Sequence, residues 1–127
     1  MIGALFNQPN YVASKAMLDA TMVRHEAIAT NLANVEKPGY KRVDVDPSFM
    51  DELRKAIASK DPAQIKGAIP TLAVDATALP TRQDGNTVEL ESELTLLTRN
   101  TTSHALETQL ITGTLTNLRL AITGRPI

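Results

Sequence analysis

The apolar positions divide the chain into two regular ends and a broken middle. From about residue 10 to residue 36 the pattern predicts one helix, entered at Pro9-Asn10 and closed before Pro38. Stepped at 100° per residue, its apolar side chains fall into two opposed stripes. One carries Tyr11, Leu18, Met22, Ala29 and Leu32, with His25 among them. The other carries the smaller set Val12, Ala16, Ala20, Val23 and Ala27. A surface helix of a self-contained protein usually shows a single stripe, so two predict packing on both sides.

Residues 89 to 123 predict a second long helix with a heptad seam. Leu90, Leu97, His104, Ile111 and Leu118 recur every seven residues, and Leu94, Thr101, Thr108, Leu115 and Ile122 follow at an offset of four. Leu90, Leu94, Leu97, Ile111, Leu115, Leu118 and Ile122 are therefore the expected assembly seam. Thr101, His104 and Thr108 interrupt it in the middle, where His104 reads as a tolerated polar seam position. Glu89, Glu91 and Glu93 load the first turn with acid, as the helix dipole favours. Gly124 and Pro126 supply the stop. At 1.5 Å per residue such a helix spans roughly 50 Å, long for a 127-residue chain.

Between them, from 41 to 88, Pro47, Pro62, Pro70 and Pro80 recur too often for long helices. Ser48 to Ser59 predicts a short helix with Phe49, Leu53, Ala56 and Ile57 on one face. Thr71 to Val74 is β-prone, and Asp84-Gly85-Asn86 signals a turn. The expected architecture is a single, mainly α domain over 1–127. Its two long terminal helices form a coiled-coil-like pair, and its irregular middle holds a short helix and small β elements.

Composition narrows the function. Hydrophobic residues make up 43% of the chain but aromatics only 3%, which favours aliphatic helix-on-helix packing over a large globular core. With 13 Lys+Arg against 14 Asp+Glu there is no basic field for nucleic acid or anionic lipid. No window is long and apolar enough for direct membrane insertion, and MIGALFNQPN lacks the basic start and long apolar region of a cleaved signal. The absence of cysteine excludes thiolate metal sites, disulfides and thiol catalysis. His25-Glu26 lacks a second histidine at position 29, where Ala stands, so a zinc-protease motif is not formed. Asn100-Thr101-Thr102 matches a glycosylation sequon but falls inside the long helix. Neither a catalytic site nor a cofactor is expected.

The most distinctive segment is Ala29 to Lys41, ATNLANVEKPGYK. It ends the first helix with two carboxamides, turns at Pro38-Gly39 and places Tyr40 beyond. Asn31 and Asn34 have two readings. They satisfy loose carbonyls where the helix frays, or they bond neighbouring backbone and set register between packed helices.

Asn31-Leu32-Ala33-Asn34 followed by Pro38-Gly39-Tyr40 resembles the signature of the bacterial flagellar rod, hook and hook-associated axial proteins. Within that group, Tyr40-Lys41-Arg42, Asp44-Val45-Asp46 and Asp84-Gly85-Asn86-Thr87-Val88-Glu89-Leu90-Glu91 are similar to the basal-body rod protein B family. Glu36-Lys37 departs from the usual Asn/Asp-Thr before the turn, and His104 stands where Tyr is frequent. The resemblance implies a structural subunit of the proximal rod. It would leave the cytoplasm through the flagellar type III export apparatus, without a cleaved signal peptide, and polymerise in the periplasm through its terminal helices. Implied partners are other rod subunits, further copies of itself, and membrane-ring and rod-junction proteins. A soluble helical adaptor or export chaperone of the same apparatus is the alternative.

Overall fold

The structure is a computed structural model describing residues 2–125. Seven elements follow in order: α1 (Ile2–Phe6), α2 (Pro9–Ala33), β1 (Val43–Val45), α3 (Ser48–Ser59), α4 (Pro62–Gly67), β2 (Leu72–Val74) and α5 (Leu90–Thr123). The mainly α architecture with two long terminal helices packed together is as the patterning predicts. α1 and α4 are not foreseen by the patterning. Pro126 lies outside the described residues, but Gly124 closes α5 in the left-handed conformation at φ 64°.

α2 and α5 run antiparallel, with Asn31 against Glu93 and Thr21 against Asn100 and His104. The middle segment folds over the opposite side of α2. Phe49, Leu53 and Ala56 of α3 and Ile65 of α4 close a small core on Val12 and Ala16. Small side chains on α2 let these short helices approach it closely. Ile57, expected on the buried face of α3, is 41% exposed because it sits beyond the edge of that core. Asp46 accepts from Ser48 N at 2.9 Å at the start of α3, and Asp61 accepts from Ala63 N at 2.9 Å at the start of α4.

β1 and β2 form a two-stranded antiparallel sheet with Asp44 opposite Ala73. Two such short strands are marginal alone. Here β1 is pinned to α2, because Asn31 Nδ2 donates to Val43 O at 2.8 Å and Val43 N donates to Asn31 Oδ1 at 2.9 Å.

Candidate functional site

Two separated motifs of the sequence meet where α2 ends. Gly39 takes φ 70° at the Pro38-Gly39 turn, and Gly85 takes φ 79° in the Asp84-Gly85-Asn86 turn. The turns clasp each other through backbone: Gly39 N donates to Asp84 O at 2.9 Å, and Thr87 N to Tyr40 O at 3.1 Å. Arg42 N then donates to Thr87 Oγ1 at 2.8 Å. Asn86 is fully buried, and its Nδ2 lies 2.8 to 3.1 Å from the carbonyls of Asn34, Val35 and Lys37. Its Oδ1 accepts from Val88 N. The carbonyls of the turn just beyond α2 are thus gathered by a side chain about 50 residues away in sequence.

The two carboxamides of the α2 motif behave differently. Asn34 donates to Thr30 O at 2.8 Å within its own helix, on the exposed side. Asn31 is fully buried, bonds both polar groups of Val43, donates to Glu93 Oε2 at 3.2 Å and accepts from Tyr40 Oη at 3.3 Å. Leu32 is half-buried beside it, whereas Ala33, Pro38 and Gly39 are exposed. Asn31 therefore joins α2, β1 and α5 at a single side chain.

Next to it lies a charged cluster that patterning did not reveal. Arg42 is buried and donates to Glu93 Oε1, to Asp75 Oδ2 at 2.6 Å and to Asp44 Oδ2 at 2.9 Å. Arg24 also pairs with Asp44, at 3.0 Å. Burial opposes the Arg42 charge, but the bonds and charges of Glu93 and Asp44 outweigh it and push its pKa above the ordinary guanidinium value. Asp44 is likewise disfavoured by burial, yet Arg42, the Val45 amide and Arg24 hold its carboxyl below the ordinary value. Asp75 is lowered chiefly by Thr77, with burial opposing and Arg42 adding to the effect. Burial, assisted by the Glu93 charge, raises Tyr40.

Glu93 had been assigned to the acidic first turn of α5 for dipole reasons. It does stand in that turn with Glu91, and there it is completely buried and holds Arg42. The signal that locates it is polar and heptad-spaced: Glu93, Asn100 and Glu107 recur every seven residues and lie inward on α5. The face of α5 against α2 therefore follows Leu97, His104, Ile111 and Leu118 at an offset of three, not four. The half of the expected seam at offset four turns outward, leaving Leu94 at 48% exposure and Ile122 at 62%. Leu90 and Leu115 are exposed with them, as are Thr101 and Thr108. The physical reason is that the polar anchors Glu93 and Asn100 find partners only against α2. Asn100 Nδ2 donates to Thr21 O at 2.8 Å, and this buried amide is not available as a sequon.

α2 shows a similar offset. Its buried line toward α5 is Thr21, Ile28 and Asn31, while Met22, His25 and Ala29 of the larger expected stripe are exposed. Of the small-residue stripe, Val12, Ala16 and Ala27 are buried and Ala20 and Val23 half-buried, and the middle segment of the same chain packs there. That side of α2 is packed by the protomer's own middle segment.

Among the described residues there is no cluster of three or more potential metal-ligating side chains, and no helix is long and apolar enough to cross a membrane. None of their buried side-chain polar atoms lacks a partner. The arrangement is built of hydrogen bonds and ion pairs between α2, the loop after it and the start of α5. It is a clasp fixing two long helices to one another.

The chain shares sequence with proteins of the flagellar rod. The particular relatives are the flagellar basal body rod proteins FlgB of Escherichia coli (strain K12) and of Shigella flexneri. Each is 27% identical over 106 residues, covering 71% of this chain and 75% of the relative. No protein-family model matches the chain.

Proposed function

We propose that this protein is a structural subunit of the proximal rod of the bacterial flagellar basal body, polymerising through its terminal helices into a torque-transmitting shaft. The observation that carries the reading is the interlock of the Asn31 to Tyr40 segment with the Asp84 to Val88 segment. The two stretches whose motifs resemble those of rod proteins are the two that clasp in space. The second support is the outward leucine surface of α5. Leu90, Leu94, Leu115 and Ile122 are all at least 38% exposed, a poor arrangement for an isolated chain and a suitable one for contacts in a bundle. Torque would pass through helix–helix contacts, and the clasp would keep α2 and α5 from sliding.

Export without a cleaved signal through the type III apparatus, and contacts with membrane-ring and rod-junction proteins, belong to the same reading. The test is hydrogen exchange on the free chain and on the same chain in purified basal bodies. Assembly should slow exchange along α5 beyond His104. Absence of the chain from basal bodies, or equal protection free and bound, would reject the rod role in favour of a helical adaptor.

A further inference from the structure

We propose that His25 of α2 and His104 of α5 form a two-imidazole site for a divalent late transition-metal ion, Cu²⁺ in preference to Ni²⁺ or Zn²⁺. Such a site belongs to the free chain and is independent of the rod-subunit reading.

The chain contains two histidines, and both line one groove of about 310 Å³ between α2 and α5. Thr21, Met22, Asn100 and Thr101 complete its wall, and no lysine or arginine lines it to repel a cation. Arg24 and Arg99 line the groove on the other flank, where Arg24 pairs with Asp44 at 3.0 Å. Helix geometry explains why the two rings meet. Long side chains on an α-helix lean back over the turn N-terminal to their own Cα. His25 therefore leans over the turn of Thr21 and Met22, and His104 over that of Asn100 and Thr101. These turns are bonded to each other, since Asn100 Nδ2 donates to Thr21 O at 2.8 Å. The helices run antiparallel, so the rings approach that contact from opposite ends. Both remain exposed to solvent.

A hydrogen bond decides which nitrogen of His104 is free. Thr21 Oγ1 spends its single proton on Leu18 O, at 2.7 Å. Toward His104 Nδ1, 3.0 Å away, that oxygen can then only accept. Nδ1 of the neutral ring therefore carries the hydrogen, and Nε2 keeps its lone pair for a ligand. Metal-bound histidines are oriented in the same way, by a bond from the second ring nitrogen. Imidazole nitrogen suits Cu²⁺, Ni²⁺ and Zn²⁺, and Cu²⁺ binds a given nitrogen set most tightly. Two protein ligands fall short of the three or four in a built zinc centre, so water fills the other positions and the ion exchanges. Its effect is mechanical: it ties α2 to α5 on a flank that α3 does not reach. An ion that binds the folded pair and not the separated helices stabilises the fold by mass action.

The full chain, free of any affinity tag, is titrated with cupric chloride at neutral pH. With no cysteine and no further histidine, every imidazole signal comes from this pair. One Cu²⁺ per chain is expected, with two imidazole nitrogens in its electron paramagnetic resonance spectrum and a higher unfolding midpoint. Ni²⁺ and Zn²⁺ should bind more weakly. His25→Gln replaces an exposed ring and should leave the fold intact. It should weaken binding about a hundredfold, the lower end of what two linked ligands gain over one. One imidazole should remain in the spectrum, and the rise in midpoint should vanish. His104→Gln should behave alike. One imidazole per ion in the unaltered chain, or one ion shared between two chains, would overturn the proposal. So would unchanged affinity in either variant.

Discussion

Arg42 donates to Glu93 across 51 residues of sequence, and Glu93 has no exposed surface at all. The pair locks the loop after α2 to the first turn of α5, while Asn31 holds the other Glu93 oxygen. A buried ion pair is weak grounds for net stability, but breaking one side of it is costly. Its value here is positional: only one register of α5 against α2 lets Glu93 reach both Arg42 and Asn31.

Arg42→Ala should therefore destabilise the chain by about 3–5 kcal/mol, since it leaves Glu93 buried with only the Asn31 amide. Urea denaturation followed by circular dichroism measures this. Arg42→Met combined with Glu93→Leu should recover part of the loss, and a double variant no better than Arg42→Ala would refute the argument.

Asn86 and Asn34 should separate sharply on substitution. Asn86→Ala removes the buried amide shared by the carbonyls of Asn34, Val35 and Lys37 and leaves the Val88 amide without its acceptor, at about 1–3 kcal/mol for a buried group left unpaired. Asn34→Ala removes one exposed bond to Thr30 and should cost less than about 1 kcal/mol. Comparable losses in thermal denaturation would contradict the role given to Asn86.

Gly39→Ala isolates backbone conformation from packing. An added Cβ would meet nothing within 4 Å, yet φ is 70°. The expected loss is about 1–2 kcal/mol from the left-handed conformation alone. An unchanged unfolding midpoint would mean that the turn relaxes.

Acid should loosen the clasp. The folded pKa values of Asp44 and Asp75 lie below their ordinary 3.8, so their contribution is fully present above that value. It is lost as pH falls from 3.8 through the folded values. Unfolding free energy should thus be flat with respect to these groups at neutral pH and decline below about pH 4. Asp44→Asn should flatten that decline, which a urea titration at several pH values would read.

Leu94→Gln tests the outward seam. Leu94 is 48% exposed, so the free chain should change by no more than about 0.5 kcal/mol. Incorporation into basal bodies and motility should fall. Loss of monomer stability without loss of assembly would place Leu94 inside the fold instead.

Both long helices, the short helix over Ser48 to Ser59 and the stop at Gly124 were legible because they depend on local rules: periodicity, proline placement and left-handed glycine. The importance of Asn31 was legible too, as one of two possible roles, because a carboxamide at a helix end has few things to do. Arg42, Asp75, Glu93 and Asn86 were not seen as a cluster. Each was an ordinary polar residue in its own neighbourhood, and apolar heptads drew attention to Leu94 rather than to the residue beside it.

The sequence by itself determined the two long helices and the short one over Ser48 to Ser59, though not α1 or α4, and which segments look like those of rod proteins. Tertiary structure alone decided the rotation of each helix and hence which face is spare. Hydrophobic periodicity specifies a face only to within about one residue, since burial is non-directional and neighbouring leucines pack almost equally well. Hydrogen bonds and buried charges tolerate no such freedom, so Glu93, Asn100, Asn31 and Asn86 set the register. The Ala/Val stripe is covered by the chain's own middle segment, and the leucines left outside are those facing solvent in that register.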